Sequence, residues 1–324
     1  MSRSPGENNL RPESFDDYTG QTQVKETLRV MSQSALINGE CMDHVLFSGP
    51  PGLGKTTVAR ILAEELGVKI HVTSGPALRN KSELMGMLLG LEENDILFID
   101  EIHRLDMKVE ENLYPAVEDG YCDLVIEGPD GQPMSIPMPL PPFTLVGATT
   151  LAGSITGALR TRFVQICRMQ YYSGQELGQI AARSSEILDL NLTAQAANVI
   201  GERSRGTPRT VNQFVKMIRH HATVDRLDTV DSDYVNQVLW KMGVDTLGLN
   251  QLDRRYLTVL MTQFAGGPTG LTTLASALDE STETLQDTIE PYLLKKGLLQ
   301  RTPRGRVITD DARHHLETVD TELV

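Results

Sequence analysis

Four things are scarce in this chain of 324 residues: basic residues, aromatics, cysteines and long apolar runs. Lys and Arg number 30 against 43 Asp and Glu, a net charge of −13. So acidic a chain is no general polyanion binder, and any contact with nucleic acid must be local or recruited by a partner. Aromatic residues make up 5%. Cys41, Cys122 and Cys167 are widely spaced with no CxxC pair, and read as buried thiols in a reducing compartment. The doublets His220–His221 and His314–His315 lack Cys or carboxylate neighbours at a zinc spacing and read as surface residues on helices. No apolar run approaches the roughly 18–20 residues of a membrane helix. "MSRSPGENN", residues 1–9, lacks the apolar stretch of a secretory signal and reads as a disordered, polar lead-in. The expected location is the cytoplasm.

What is present is a globular composition, 40% hydrophobic and 23% charged, at a length that calls for two or three domains. Short apolar runs at 45–49, 69–73, 96–100, 143–148 and 162–167 suit strands buried on both faces. Between the first two, Val58, Ile61, Leu62 and Leu66 recur at helical spacing before Gly67. Strand, helix, strand implies a parallel α/β sheet. Beyond residue 173 the pattern is helical, with Ser173, Thr193, Thr207 and Ser232 as expected N-caps and Pro208 at a first helical position. After a linker at 245–253, helical patterns cover 253–264, 271–278 and 282–296. "GLLQRTPRGRVIT" follows as two short β-runs about a Pro/Gly turn. Three helices and a β-ribbon make a winged helix. The expected domains are an α/β domain over 10–172, an all-α domain over 173–246 and a winged helix over 247–324.

"GPPGLGKT", Gly49 to Thr56, fits the phosphate-binding loop pattern without a misfit, with a strand before it and a helix after it. Gly49, Pro50, Gly52, Leu53, Gly54, Lys55, Thr56 and Thr57 are therefore candidate nucleotide contacts. Successive backbone N–H groups and the helix N-terminus would face the phosphates. Lys55 would reach the β/γ-phosphates and the Thr56 hydroxyl would ligate Mg²⁺. "DILFIDE" ends a second apolar strand in two acids. Asp100 would hold the metal's hydration shell and Glu101 would activate water. Two acids in series point to hydrolysis of ATP.

"GPPGLGKTT", "LFIDEIHRL", "LPPFTLVGATT", "LRTRF" and "RSRGTPRTVN" follow one another as in AAA+ ATPases. The wording, with "LRPESFDDYTGQ" (10–21), "LYPAVEDG" (113–120) and "EPYLLKKGLLQRTPRGRV" (290–307), resembles the RuvB family of Holliday-junction branch-migration motors across residues 10–316. The resemblance implies that the all-α domain is an AAA+ lid and that the chain is an ATP-driven DNA translocase working as a homohexamer. It makes Thr150 sensor 1 and Arg162 a finger reaching a neighbour's ATP, with Arg160 close by. Arg209 becomes sensor 2, and Leu10, Arg11, Tyr18, Tyr172 and Pro208 border the nucleotide. The sequence departs from the family pattern at Leu151, where Arg is usual, and at Ala158, Thr161 and Val164, which replace Pro, Asp and Gly.

Two other classes compete. A protein unfoldase would carry an aromatic pore loop, but residues 74–95 contain no Phe, Tyr or Trp. A clamp-loader-like DNA switch shares the sensors and finger but lacks the terminal winged helix. In that winged helix Arg301, Arg304 and Arg306 cluster around Pro303 and Gly305. This suits a phosphate clamp that ignores base identity, against the alternative of a solvated turn. "VIEGPDGQPMSIPMPLPP" (125–142) predicts a hairpin turning at Pro129–Gly131 and confined to an edge by Pro137 and Pro139. Its apolar residues Met134, Ile136 and Met138 either fold back onto the sheet or dock a partner. In the family this insertion resembles the hairpin that binds RuvA, which recognises the junction.

Overall fold

The structure, a computed structural model, describes residues 10–127 and 132–322. The expected lead-in at 1–9 and the turn at 129–131 lie outside them. Residues up to Tyr172, together with Thr207–Arg209, form one compact unit, and Ser173–Gly206 with Thr210 onward form a second.

The first unit runs α1 (Thr22–Asn38), β1 (Val45–Ser48), α2 (Lys55–Leu66), β2 (Ile70–Ser74), α3 (Lys81–Leu88), β3 (Ile96–Asp100), α4 (Met107–Glu118), β4 (Tyr121–Glu127), β5 (Pro133–Pro139), β6 (Thr144–Thr149), α5 (Gly157–Arg160) and β7 (Gln165–Arg168). Five strands pair in parallel in the order β2-β3-β6-β1-β7. The inner three are buried almost throughout, as their unbroken apolar runs require. The edge strands β2 and β7 are partly exposed, so expected burial on both faces fails there. β7 also starts three residues later than its apolar run, because α5 and the turn after it take up Arg162 and Phe163. The register sets Ser48 level with Thr149, and Ser74 level with Asp100. The loops after β1, β3 and β6 therefore open at one rim of the sheet, where ligands of parallel α/β folds bind. β4 and β5 make a separate antiparallel ribbon. β5 pairs with β4 alone, the edge placement that Pro137 and Pro139 demand.

The second unit opens with α6 (Gly174–Ile187), α7 (Ala194–Arg203), α8 (Pro208–Asp225, beyond its first two residues) and α9 (Ser232–Lys241). Ser173 and Thr193 cap as expected, Ser173 in a capping box with Glu176. For α9 the cap is Asp231, whose carboxylate accepts the Tyr234 N–H, and Ser232 is the first helical residue. Then come α10 (Gln251–Thr262), α11 (Leu271–Leu278), α12 (Thr282–Thr284), α13 (Glu290–Lys295), the antiparallel ribbon of β8 (Leu299–Thr302) and β9 (Gly305–Ile308), and α14 (Asp310–Glu322). The single helix expected over 282–296 is broken by a π-helical stretch, Leu285–Ile289. α14 was not expected at all. It packs Ala312 and Leu316 into the core formed by Tyr256, Leu260, Leu278 and Leu293.

Among the described residues no helix is long and apolar enough to cross a membrane. Cys122 and Cys167 are buried free thiols, Cys167 pushed up to about 11 by burial, whereas Cys41 is half-buried. His315 departs from the surface expectation: its Nε2 lies 2.9 Å from the buried carboxylate of Asp245.

Candidate functional site

The loop between β1 and α2 takes its shape from glycine. Gly52 and Gly54 have φ of 81° and 97°, a region that L side chains rarely adopt. A Cβ on Gly54 would also sit 3.0 Å from the Tyr18 hydroxyl. That hydroxyl pairs with the Tyr172 hydroxyl at 2.7 Å, and both lie 3.2 Å from the Leu53 carbonyl oxygen. Tyr18 and Tyr172 are buried, and burial raises the Tyr18 phenol well above its ordinary pKa, so it stays a neutral donor. Leu10 is buried and Arg11 half-buried, while Pro208 starts α8 with its neighbour Arg209 against Gly52. A Cβ on Gly52 would lie 3.3 Å from the Arg209 Cβ, and the Arg209 N–H points at the Gly52 carbonyl at 3.5 Å.

Lys55 is 8% exposed at the start of α2, and its Nζ donates to the carbonyls of Gly49 (2.7 Å) and Pro50 (2.9 Å). Burial lowers its pKa to about 8. Asp100 and Glu101 oppose that shift, and the charge on Arg209 adds to it. These four side chains thus share one electrostatic field. Thr56 and Thr57 follow, half-buried in the first turn of α2. Among the described residues there is no cluster of three metal-ligating side chains. A hydroxyl and one carboxylate, Thr56 and Asp100, are the hard-oxygen set that suits Mg²⁺ completed by phosphate and water.

Glu101 has φ of 47°, strained for a residue with a side chain, at the turn that follows β3. Its carboxylate meets Arg104 at 3.0 Å, and its N–H donates to the Asp100 carboxylate at 3.0 Å. At the end of β6, Thr150 is half-buried, while its neighbour Thr149 is fully buried and bonded to His103. Neither His103 nor Thr149 stood out in the sequence, although His103 follows the two acids closely and Thr149 precedes Thr150 directly.

Arg162 is engaged within its own subunit. It pairs with Glu118 at 2.9 Å, lies 4.2 Å over the Tyr114 ring and donates to the Ala158 carbonyl. Its Nε is buried without a hydrogen-bond partner among the described residues. Glu110, Tyr114 and Glu118 stand four apart on α4, so one helix face presents them all. The Glu110 carboxylate accepts from both Tyr114 and Thr156. That spacing was legible in "EENLYPAVE" and was missed. Arg160 is exposed, as are Leu151, Ala158, Thr161 and Val164.

The three arginines of the expected clamp differ in their surroundings. Arg301 and Arg306 face each other across the β8–β9 ribbon, and both reach Glu290, which is 0% exposed. Arg301 Nε donates to Glu290 Oε2 at 2.7 Å and Arg306 Nε to Oε1 at 2.9 Å, with the Tyr256 hydroxyl donating at 2.9 Å. A buried carboxylate must be paired, and these guanidinium groups are its partners. Arg304 stands at the exposed tip, Arg301 is exposed despite its pairing, and Arg306 is half-buried. The apolar face of the β4–β5 ribbon also divides. Met138, opposite Cys122, packs against the core of the first unit, Ile136 is half-buried, and Met134 is 44% exposed.

A glycine-shaped phosphate loop on a parallel five-stranded sheet, acids ending the β3 strand, a helical lid and a terminal winged helix define an AAA+ P-loop ATPase of the DNA-motor type. Family models match the Holliday junction DNA helicase RuvB P-loop domain at residues 10–169, the RuvB AAA lid domain at 172–245 and the RuvB C-terminal winged helix domain at 246–317. The chain belongs to the RuvB family. It is 48% identical over 318 residues to a Holliday junction branch migration complex subunit RuvB of Flavobacterium psychrophilum, covering 98% of this chain and 93% of the relative. The same subunit of Lawsonia intracellularis is 49% identical over 315 residues, 97% and 92% of the two chains. The solved Thermotoga maritima RuvB Holliday junction branch migration motor superposes with a TM-score of 0.85 at 43% identity, over 95% of this chain and 98% of that one.

Proposed function

We propose that this chain hydrolyses ATP to pump duplex DNA and drive branch migration of Holliday junctions, as a homohexameric ring in the cytoplasm. The observation that carries the reading is the glycine-shaped loop at the open rim of the sheet, whose carbonyls hold the Lys55 ammonium. Lys55 and the loop N–H groups bind the phosphates, and Thr56 with Asp100 hold a Mg²⁺ that neutralises phosphate charge. Glu101 takes the proton from the attacking water, Thr150 reads the γ-phosphate and Arg209 reports nucleotide from the lid. Leu10, Arg11, Tyr18, Tyr172 and Pro208 border the base and sugar. Arg162 reaches the site of the next subunit, which ties hydrolysis to assembly. The domain limits fall after residues 172 and 246.

DNA meets the winged helix at its ribbon tip, with Arg304 on the backbone. Met134 and Ile136 dock a RuvA-type junction-binding protein, whose affinity for DNA compensates for the net charge of −13. The decisive variant is Glu101→Gln. It should bind ATP like the parent while hydrolysis drops about a hundredfold or more, because only proton transfer is lost. Hydrolysis at the parental rate would remove Glu101 from the role of base.

A further inference from the structure

We propose that His103 is a positioning residue for hydrolysis: through Thr149 it ties the turn that carries Glu101 to the strand end that carries Thr150. The inference rests on the reading of Glu101 as base and Thr150 as γ-phosphate sensor. It concerns two side chains to which that reading gives no part.

Strands β2, β3 and β6 are neighbours in the sheet, and their ends are joined at one level. After β3 the left-handed Glu101 turns the chain sharply into a 3₁₀ turn, Ile102–Arg104, closed by the Arg104 N–H on the Glu101 carbonyl at 2.8 Å. On the β2 side this turn lies flush on Gly75. A Cβ there would sit 2.5 Å from the Glu101 carbonyl oxygen and 3.1 Å from the Leu105 nitrogen. The turn has no room to retreat that way. On the β6 side its anchor is His103, whose Nδ1 lies 3.0 Å from Thr149 Oγ1.

Thr149 is the hub of this join. It is 0% exposed, and its Oγ1 also accepts the Leu151 N–H at 3.0 Å. A side-chain oxygen bonded two residues on makes a local turn around the residue between, which is Thr150. Besides accepting from Leu151, the hydroxyl shares its second hydrogen bond with His103 Nδ1, as donor or as acceptor according to the imidazole tautomer. His103 therefore sets the orientation of the hydroxyl that holds the Thr150 backbone. The base and the sensor are kept in mutual register by one part-buried hydrogen bond. A small displacement of either group from the attacking geometry costs rate without costing ATP affinity.

The test uses the full chain with ATP turnover and ATP binding measured side by side. His103→Ala should lower kcat about tenfold and leave KM for ATP within about twofold. His103→Asn places an amide, able to accept or donate, where Nδ1 stands, and should recover kcat to within about threefold of the parent. Combining His103→Ala with Thr149→Val should cost no more than Thr149→Val alone, because both remove the same bond. His103→Ala at parental kcat, His103→Asn as slow as His103→Ala, or additive losses in the double variant would each overturn the proposal. So would a fall in ATP binding or in melting temperature that matches the loss of kcat, since that marks a packing role. Thr150→Val separates the two levels. If it turns over at the parental rate, the sensor reading itself fails and takes this one with it. If it is slow while His103→Ala is not, only the link through His103 is wrong.

Discussion

Lys55 and Arg306 both sit close to glycine-shaped turns, and in sequence both look like cations waiting for a phosphate. Their surroundings divide them. Among the described residues Lys55 Nζ donates only to the carbonyls of its own loop, and burial, partly offset by Asp100 and Glu101, lowers its pKa to about 8. Arg306, with Arg301, is committed to a carboxylate at 0% exposure. Arg162 falls between them, held by a half-exposed Glu118 and an aromatic face. A cation is available to an external anion in inverse measure to the buried counter-charge it already serves. Density of arginine along a loop says nothing about that. Breaking a buried pair is costly, whereas breaking an exposed one costs little.

The largest effect expected from this ordering belongs to Arg162. If it leaves Glu118 to act across a subunit boundary, Arg162→Ala should bind ATP but lose about a thousandfold in hydrolysis, the scale of an arginine finger. Mixed with Lys55→Ala subunits, it should regain part of the activity, since one partner keeps the loop and the other keeps the finger. No regain at any ratio, with co-assembly verified, would leave Arg162 as a bracket within its own subunit.

At the other end of the ordering, Arg301→Ala with Arg306→Ala should destabilise the second unit by about 3–5 kcal/mol, because Glu290 is left buried and unpaired. Adding Glu290→Gln should return most of that stability, which chemical denaturation would show. An unchanged denaturation midpoint in the double variant would mean that the ribbon arginines are free after all and would revive the three-arginine clamp.

The same contrast explains what could be read from sequence. The phosphate loop was legible because its glycines, lysine and threonine are contiguous, and the strand-end acids because they close an apolar run. Glu290 lies 11 and 16 residues before its partners, beyond any local pattern. A signal did exist, since it follows Ile289 in a helix whose Leu285, Ile289 and Leu293 are buried. A carboxylate in such a setting must find a cation. The seating of α14 on its core and the Thr149–His103 bond were equally hidden, because each joins segments far apart in sequence. The cap of α9 was misplaced by one residue, as Asp231 and Ser232 are both good caps and only the backbone chooses.

A smaller effect tests Lys55 through pH. Its folded pKa of about 8 lies below the 10.5 of the free side chain. Between those values the unfolded chain binds more protons than the folded one, so stability rises with pH there. The first unit should therefore gain stability between pH 8 and about 10.5, and a Lys55→Met variant should lack that contribution. Denaturation of both proteins across that range checks the sign. An identical slope in the two would show that burial does not lower the pKa of Lys55.

The smallest effect belongs to Arg304, which carries the comparison to its limit. It stands at the ribbon tip between Pro303 and Gly305, and its backbone N–H bonds to Thr302 at 3.3 Å. Unlike Arg301 and Arg306, it is not committed to the buried Glu290. If one guanidinium touches one phosphate, Arg304→Ala should reduce the salt dependence of duplex binding by a slope of about one, for all sequences alike. Folding should be untouched, since no buried carboxylate loses a partner. Arg304→Lys should keep most of the slope, because a single phosphate contact needs charge more than the planar fork. Filter binding of duplex DNA at several salt concentrations separates the outcomes. A slope unchanged in Arg304→Ala would empty the ribbon tip of any phosphate contact and move the DNA interface elsewhere on the winged helix. A slope that falls by two or three would mean that Arg301 or Arg306 leaves Glu290 when DNA arrives.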